Sequence, residues 1–466
     1  MSTPTVVAQM PLTTIQQSMW TAYQLVPDSS SYNIVMPLRL YGPVDPAAMD
    51  RAVTAVGERQ ELLRSVFTAD ADGTPRCTVS DRPLVRLELR DLDGADEAEL
   101  HLAAEEAGAR PFRLEQGAFR VVLLRRSATD WALVTSAHHI VSDFTSRWLL
   151  VRDLLDAYAG FAEGREPAWR PLTGSFAEHA AEEERYTASQ PGESAAERWR
   201  SSVAGSAAAE LPLDRPRPAV RSYRGGTVVR QLPAAAVDGL AAATGSSTPF
   251  AFLLGVFQSL VHRWTGQDDF LLGVPATSRM GRKQRDIIGC YLNTMPVRAE
   301  FTGSTTFADA AAQAGERVMR GMTAIRYPCG LAFPRAVLFR AALFLVQMDR
   351  MDPPVPNVPP GSAEGAAIER AGLRIALIDV PQQEGQLDLL LRLEQTPEGI
   401  TAVFSYDTDV LDRASVELLA DGFERLLAAA VAAPDTRIAD VELAAADQET
   451  DGWDDFESFE NAWDYR

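Results

Sequence analysis

Ala137-His138-His139-Ile140-Val141-Ser142-Asp143-Phe144-Thr145-Ser146 is the stretch on which the reading of the fold turns. It follows the apolar run Trp131-Ala132-Leu133-Val134-Thr135-Ser136, which reads as a buried strand. Beyond it, Trp148, Val151, Leu154, Leu155 and Tyr158 fall on one helical stripe, so Asp143 or Thr145 is the expected N-cap and the segment a strand-to-helix junction. Two of the protein's five histidines stand side by side there. Successive strand side chains point to opposite faces, so one imidazole can enter a cleft while the other enters the protein body. Imidazole suits proton transfer near neutral pH, and a nearby carboxylate commonly fixes its surroundings. No metal site is expected: adjacent strand histidines diverge, and no Cys-x-x-Cys or His-Glu-x-x-His motif supplies further ligands.

Before the junction, residues 11–25 read as a threonine-capped amphipathic helix, 32–40 as a strand, and the stretch after Pro46 as a helix through Met49, Val53 and Val56. The phrase Arg59-Gln60-Glu61-Leu62-Leu63-Arg64-Ser65-Val66-Phe67 leads into another strand. Strand signals at 75–89 and 119–125 flank a helix at 95–108, which completes a mixed α/β unit. From about 164 to 226 the composition shifts to Pro, Gly, Ala, Ser and charge, with one or two polar helices inside. A strand at 227–232, a helix at 249–264 and a strand at 269–275 then repeat the earlier layout. Residues 285–298 form a glycine-marked turn into a strand, and the Pro/Gly-rich stretch 353–365 reads as a mobile loop. A strand pair from Leu387 precedes a helix from Asp412 to about Ala432. The expected division is 1–170, a first lobe; 171–226, a connection; 227–446, a second lobe; and 447–466, an acidic tail disordered when free.

At 466 residues the chain is long enough for two or three substantial cores, and 46% apolar residues are those of an ordinary globular protein. A net charge of −20 argues against nucleic acid or an anionic membrane as partner. Three widely spaced cysteines, Cys77, Cys290 and Cys329, are expected as reduced thiols. No signal-like start or membrane-length apolar run is visible, so a cytoplasmic protein is expected.

Read together, the phrases resemble the condensation domains of nonribosomal peptide synthetases from about residue 10 to residue 443. His138-His139-Ile140-Val141-Ser142-Asp143-Phe144 is similar to that family's His-His-x-x-x-Asp-Gly signature. Thr14-Ile15-Gln16-Gln17-Ser18-Met19-Trp20 resembles its opening motif, and Arg59 through Phe67 its Arg-His-Glu-x-Leu-Arg-x-x-Phe phrase. Ile288-Gly289-Cys290-Tyr291-Leu292-Asn293-Thr294-Met295-Pro296-Val297-Arg298 looks like its Ile-Gly-x-Phe-x-Asn-Thr-x-x-x-Arg phrase.

The resemblance implies an α/β fold of two chloramphenicol-acetyltransferase-like lobes, mixed sheets with flanking helices, set in a V around a central tunnel. It implies that His139 is catalytic and faces the tunnel while His138 is structural. Asp143 is expected in a salt bridge, with Arg279 the first candidate partner and Arg298 the second, and Ser142, Phe144 and Asn293 are expected along the tunnel. The implied reaction joins a carrier-bound acyl thioester to an amine, less readily an alcohol. No cofactor is bound in this reading; substrates ride on the phosphopantetheine of carrier proteins met in trans by a free-standing, monomeric enzyme. The alternatives are an idle domain that binds carriers and recruits another enzyme, and a coenzyme A-dependent acyltransferase.

One departure stands out: Phe144 occupies the family's usual glycine position, where a ring adds bulk to the tunnel wall and a positive φ is hard to reach. Asp-Phe versions resemble those of condensation domains that follow polyketide modules, which favours an acyl or polyketide donor. The histidines themselves distinguish the chain from cyclisation domains, whose aspartates replace them. In the tail, eight acidic residues accompany one basic residue between Asp447 and Arg466, and Trp453, Phe456, Phe459 and Trp463 recur at helical spacing. Such a stripe resembles the acidic motifs with which synthetase subunits dock onto basic β-hairpin domains, so the tail is expected to recruit a partner and fold on binding.

Overall fold

The computed structural model describes residues 5–443 except 335, 355–357, 359–361 and 381–384. The expected tail at 447–466 lies outside the described residues, and the 353–365 loop lies only partly within them. The first half runs β1 (Val6–Pro11), α1 (Thr14–Leu25), β2 (Asn33–Tyr41), α2 (Pro46–Arg59), β3 (Ser65–Ala69), β4 (Pro75–Ser80), β5 (Leu87–Asp91), α3 (Glu97–Ala109), β6 (Phe119–Arg125), β7 (Asp130–His138) and α4 (Phe144–Ala162). Two helices, α5 (Phe176–Thr187) and α6 (Gln190–Val203), occupy the connection. The second half runs β8 (Gly225–Gln231), α7 (Ala234–Ala243), α8 (Pro249–Thr265), β9 (Asp269–Thr277), β10 (Leu292–Glu300), α9 (Phe307–Met322), α10 (Cys329–Ala332), β11 (Ala341–Gln347), β12 (Ile368–Arg370), β13 (Leu373–Leu377), β14 (Leu389–Thr396), β15 (Gly399–Asp407) and α11 (Arg413–Ala432).

The elements build two six-stranded mixed sheets, ordered β12-β13-β2-β7-β6-β5 and β10-β9-β11-β14-β15-β8, beside a small sheet β1-β4-β3. β7 is central in the first sheet and covered on both faces. Its alternation sorts Trp131, Leu133 and Ala137 into one core and Ala132 and Val134 into another. Local chemistry sets the helix ends. Asp45 caps α2 ahead of Pro46 at the first helical position, and Thr248 caps α8 ahead of Pro249. α8 ends at Gly266, whose left-handed φ of 67° is the conformation glycine adopts without cost. Its residues from Ala251 to Val261 are all buried, because it lies between the second sheet and the helices α9 and α11.

One pairing crosses from the second half of the chain to the first. β13 leaves the second half and pairs antiparallel with the edge of β2, Ile375 opposite Leu40 and Leu377 opposite Leu38. The first sheet needs these strands, since Leu373, Ile375 and Leu377 complete its core and Ile378 and Val380 the core on its other face. Ile287, Ile288, Cys290 and Tyr291, at the end of the β9–β10 connection, also belong to the first core. β1 had no counterpart among the expected strands; its exposed Val6 and Val7 make it a surface edge with little hydrophobic alternation to read.

The β9–β10 connection is fastened to the first half through its backbone. Gln60 accepts from the Ile288 amide (3.0 Å) and donates to the Asp286 carbonyl (3.0 Å). The Ser146 hydroxyl donates to the Gly289 carbonyl (2.8 Å) and accepts from its amide (3.0 Å). Gly289 is required by space: a Cβ there would stand 2.2 Å from Cδ2 of the fully buried Phe176. Gly289→Ala is therefore expected to lower unfolding free energy by about 1–3 kcal/mol through overpacking. Gly303→Ala, where a Cβ meets nothing within 4 Å, is expected to change it by less than about 0.5 kcal/mol in the same urea titration.

Candidate active site

β7 ends on His138, and His139 lies in the turn that follows. The two rings have different surroundings. His138 is 4% exposed, stacked on Tyr32 (centroids 5.8 Å apart) and met edge-on by Tyr23 and Phe112. Its Nδ1 accepts from the Ile140 amide (3.1 Å), which places the proton of the neutral ring on Nε2. Burial pushes its pKa down to about 3, with a smaller contribution from His139, so it stays uncharged at neutral pH. His139 is half-buried; its backbone amide donates to the Tyr32 carbonyl (2.8 Å), and its Nδ1 lies 3.7 Å from Sγ of Cys290. From α1, the fully buried Gln16 donates to the Ile140 carbonyl (2.8 Å) and supports the turn from below.

Asp143 is the N-cap of α4, with Oδ1 accepting from the Ser146 amide (2.7 Å). The same buried carboxylate accepts from the Tyr291 amide (3.1 Å) and faces Nη2 of Arg279 at 3.3 and 3.4 Å. Arg279 also donates to the Ser146 hydroxyl (2.9 Å) and the Ile287 carbonyl (2.6 Å), and its guanidinium lies over the Tyr291 ring at 4.1 Å. Arg279, the first candidate, is thus the partner of Asp143. Arg298, the second, is not in this cluster: it sits near the far end of β10 and pairs with Asp269 and with Glu300 (3.1 Å). Nine residues of extended strand separate the two ends, so an arginine at 298 cannot reach the α4 cap.

Ser142 is buried, and its hydroxyl donates to the Asp143 carbonyl (3.4 Å). Phe144 is the first residue of α4, where φ is helical, so the expected difficulty with positive φ does not arise. Its ring meets Phe344 of β11 edge to face (6.2 Å) and carries the Arg147 guanidinium over its face (4.1 Å). Asn293 donates to the carbonyls of Ile325 (2.8 Å) and Tyr327 (2.9 Å) and accepts from the Cys329 amide (3.0 Å). It lines a cavity of about 280 Å³ together with Thr14, Ser18, Glu183, Cys329 and Phe333. Trp453, Phe456, Phe459 and Trp463 lie outside the described residues.

Cys290, Tyr291 and Ser146 had no role at the site in the sequence reading, although all three stood within quoted phrases. Side-chain type alone carried no signal; their contact with the histidine turn arises only when the β9–β10 connection docks. His179 of α5 belongs to the same cluster, 4.5 Å from the Tyr291 ring. Burial and then the Arg279 guanidinium push its pKa down to about 4. Among the described residues no group of three or more His, Cys, Asp or Glu is placed to hold a metal ion, and no helix is long and apolar enough to cross a membrane.

Both depressed histidines make stability pH-dependent with a definite sign. Each is neutral in the folded state down to about pH 3 or 4, whereas the unfolded chain takes up the proton near pH 6.5. Their contribution is complete above pH 6.5 and is lost as pH falls below it, at up to about 1.4 kcal/mol per pH unit for each ring. Urea unfolding of the protein and of His179→Gln between pH 7.5 and 5 checks this: the variant should lose less stability over the interval.

Residues 6–451 match the family model described as Condensation domain. The chain is 32% identical over 465 residues to phosphinothricin tripeptide synthetase PhsB of Streptomyces viridochromogenes, covering 96% of this chain and 38% of that protein. It is 29% identical over 456 residues to chondramide synthase cmdD of Chondromyces crocatus, covering 94% of this chain and 11% of that one. The chain thus spans a small part of these curated relatives. Among solved structures, the X-domain from teicoplanin biosynthesis superposes with a TM-score of 0.81 at 26% identity, covering 95% of this chain and 98% of that one. The same domain in complex with OxyB gives 0.80 at 24% identity, covering 96% and 98%. A match over nearly the whole chain, to a family of acyl-transferring domains with the chloramphenicol-acetyltransferase-like fold, leaves one assignment: the chain belongs to the condensation-domain family of nonribosomal peptide synthetases.

Proposed function

We propose that this domain forms an amide bond between a carrier-bound acyl thioester and an amine acceptor, with His139 the side chain that touches the reacting atoms. The observation that carries this reading is the unequal pair of histidines. His138 is enclosed and held neutral by burial, while His139 is half-exposed on a backbone fixed by Tyr32. In the reaction the C–N bond forms, the C–S bond breaks, and the amine's proton ends on the departing thiol. Between these events stands a tetrahedral intermediate with positive nitrogen and negative oxygen, and an imidazole beside it can take the proton or stabilise the charge. Holding two tethered substrates together, in a tunnel between lobes set in a V, supplies up to about 7–11 kcal/mol of the acceleration. Carrier proteins bring donor and acceptor on phosphopantetheine, and the domain binds no cofactor of its own.

With loaded carriers and an amine acceptor, His139→Ala is expected to lower kcat by about 10²–10³-fold with an unchanged melting temperature. Undiminished turnover rejects the role of His139. Asp143 and Arg279 act by position in this reading, with Ser142, Phe144 and Asn293 along the substrate path. Asp143→Ala is expected to destabilise the fold by about 3–5 kcal/mol, because it leaves Arg279 buried without its carboxylate and α4 without its cap. A soluble variant with unchanged melting temperature and reduced turnover would instead place Asp143 among the catalytic groups.

A second reading, an idle domain that recruits another enzyme, is favoured by the likeness to the X-domain, which is known in complex with OxyB. Carrier binding without turnover of any carrier-bound or coenzyme A-bound thioester supports it, and turnover above the uncatalysed rate removes it. The relative rates with the two donors separate condensation from coenzyme A-dependent acyl transfer.

The tail at 447–466 we assign to partner recruitment. The family match ends at residue 451, which leaves Trp453, Phe456, Phe459 and Trp463 beyond it among acidic residues. A basic β-hairpin domain on a partner synthetase suits that chemistry. Deleting 447–466 should leave the melting temperature unchanged and weaken the apparent affinity for such a partner. Trp453→Ala should cost about 1–3 kcal/mol of binding through the lost aromatic anchor, and binding of the intact tail should weaken with added salt through its charges.

A further inference from the structure

Cys290 has a surrounding that the proposed reaction does not use. It is fully buried and has a neighbour pinned on each side: the Gly289 amide and carbonyl bond Ser146, and the Tyr291 amide bonds Asp143. Opposite it, His139 is held by its amide to the Tyr32 carbonyl. The two side chains are thus set against each other by backbone on both sides, with Sγ 3.7 Å from Nδ1, a thiol–imidazole hydrogen-bonding distance.

Which group donates follows from the surroundings of the sulfur. Burial first, and then the Asp143 carboxylate, push the thiol well above its ordinary pKa, so Cys290 carries its proton and is no nucleophile. An imidazole nitrogen is also a better acceptor than a thiol sulfur, which is a weak one.

We propose that Cys290 is a positioning residue whose S–H donates to Nδ1 of His139 and holds the ring as the Nε2–H tautomer. In that form His139 presents a hydrogen-bond donor through Nε2, suited to the negative oxygen of the tetrahedral intermediate; removing the amine's proton would require the opposite tautomer. The statement about the reaction rests on the functional reading above, whereas the statement about the tautomer does not.

The test is nitrogen NMR of the full chain labelled with ¹⁵N-histidine, recorded at a pH where the ring is neutral, with His139 identified by the signals lost in His139→Gln. The expected spectrum has a protonated, pyrrole-type Nε2 and a bare, pyridine-type Nδ1. Cys290→Ser, which keeps a donor, should preserve it, and Cys290→Ala should lose the pyridine-type signal at Nδ1 in whole or part. A wild-type His139 protonated at Nδ1, or an unchanged tautomer in Cys290→Ala, overturns the proposal. The wild-type spectrum decides the matter even if the alanine variant fails to fold. Turnover is read separately: inactive protein with the expected tautomer defeats the functional reading alone, and active protein with the reversed tautomer defeats this one alone.

Discussion

The Asp143 carboxylate is the contact on which the rest of the site depends. It is the N-cap of α4, the acceptor for the Tyr291 amide and the counter-ion of Arg279, so one buried charge fixes a helix end, a strand entry and a guanidinium. A carboxylate taken out of water needs this much partnership, because burial without it costs several kcal/mol. The requirement works in both directions. Arg279 is itself mostly enclosed and meets the Asp143 carboxylate and the Ser146 hydroxyl only when the β9–β10 connection docks on α4. The two halves of the chain are therefore bound at the point where the histidines emerge.

Around that point the protein separates the roles of two neighbouring, chemically identical side chains. His138 continues the strand into an aromatic enclosure of Tyr23, Tyr32 and Phe112, which removes its charge within the physiological range. His139 begins the turn and is held against the second-half residue Cys290. The difference arises from one residue of chain, the last of a strand against the first of a turn. Gln16 and Tyr32 keep that turn in place through backbone contacts.

Phe144 shows how a departure from a family pattern is absorbed. The first residue of a helix has an ordinary right-handed φ, so no glycine is needed on backbone grounds. The additional ring is used as a contact, carrying Arg147 on its face and meeting Phe344 from the second sheet.

The local readings that succeeded rest on period and capping. The buried run from Trp131, the stripe from Trp148 to Tyr158, and the carboxylate before them identify β7, α4 and their cap from neighbouring residues alone, since strand and helix spacing and the orphan amides of a helix start are short-range constraints. The pairing of Asp143 with Arg279 was legible because the motif resemblance limited the arginines to two, and only distance along β10 excluded Arg298. What the tertiary structure alone decided concerns contacts between residues far apart in the chain. These are the crossing of β13 to the free edge of β2, the docking of residues 286–291 into the first core, and the meeting of Cys290 with His139, 151 positions away. Such contacts depend on which edge is left unpaired and which cavity is left unfilled, properties of the assembled sheets that no window of neighbouring residues contains.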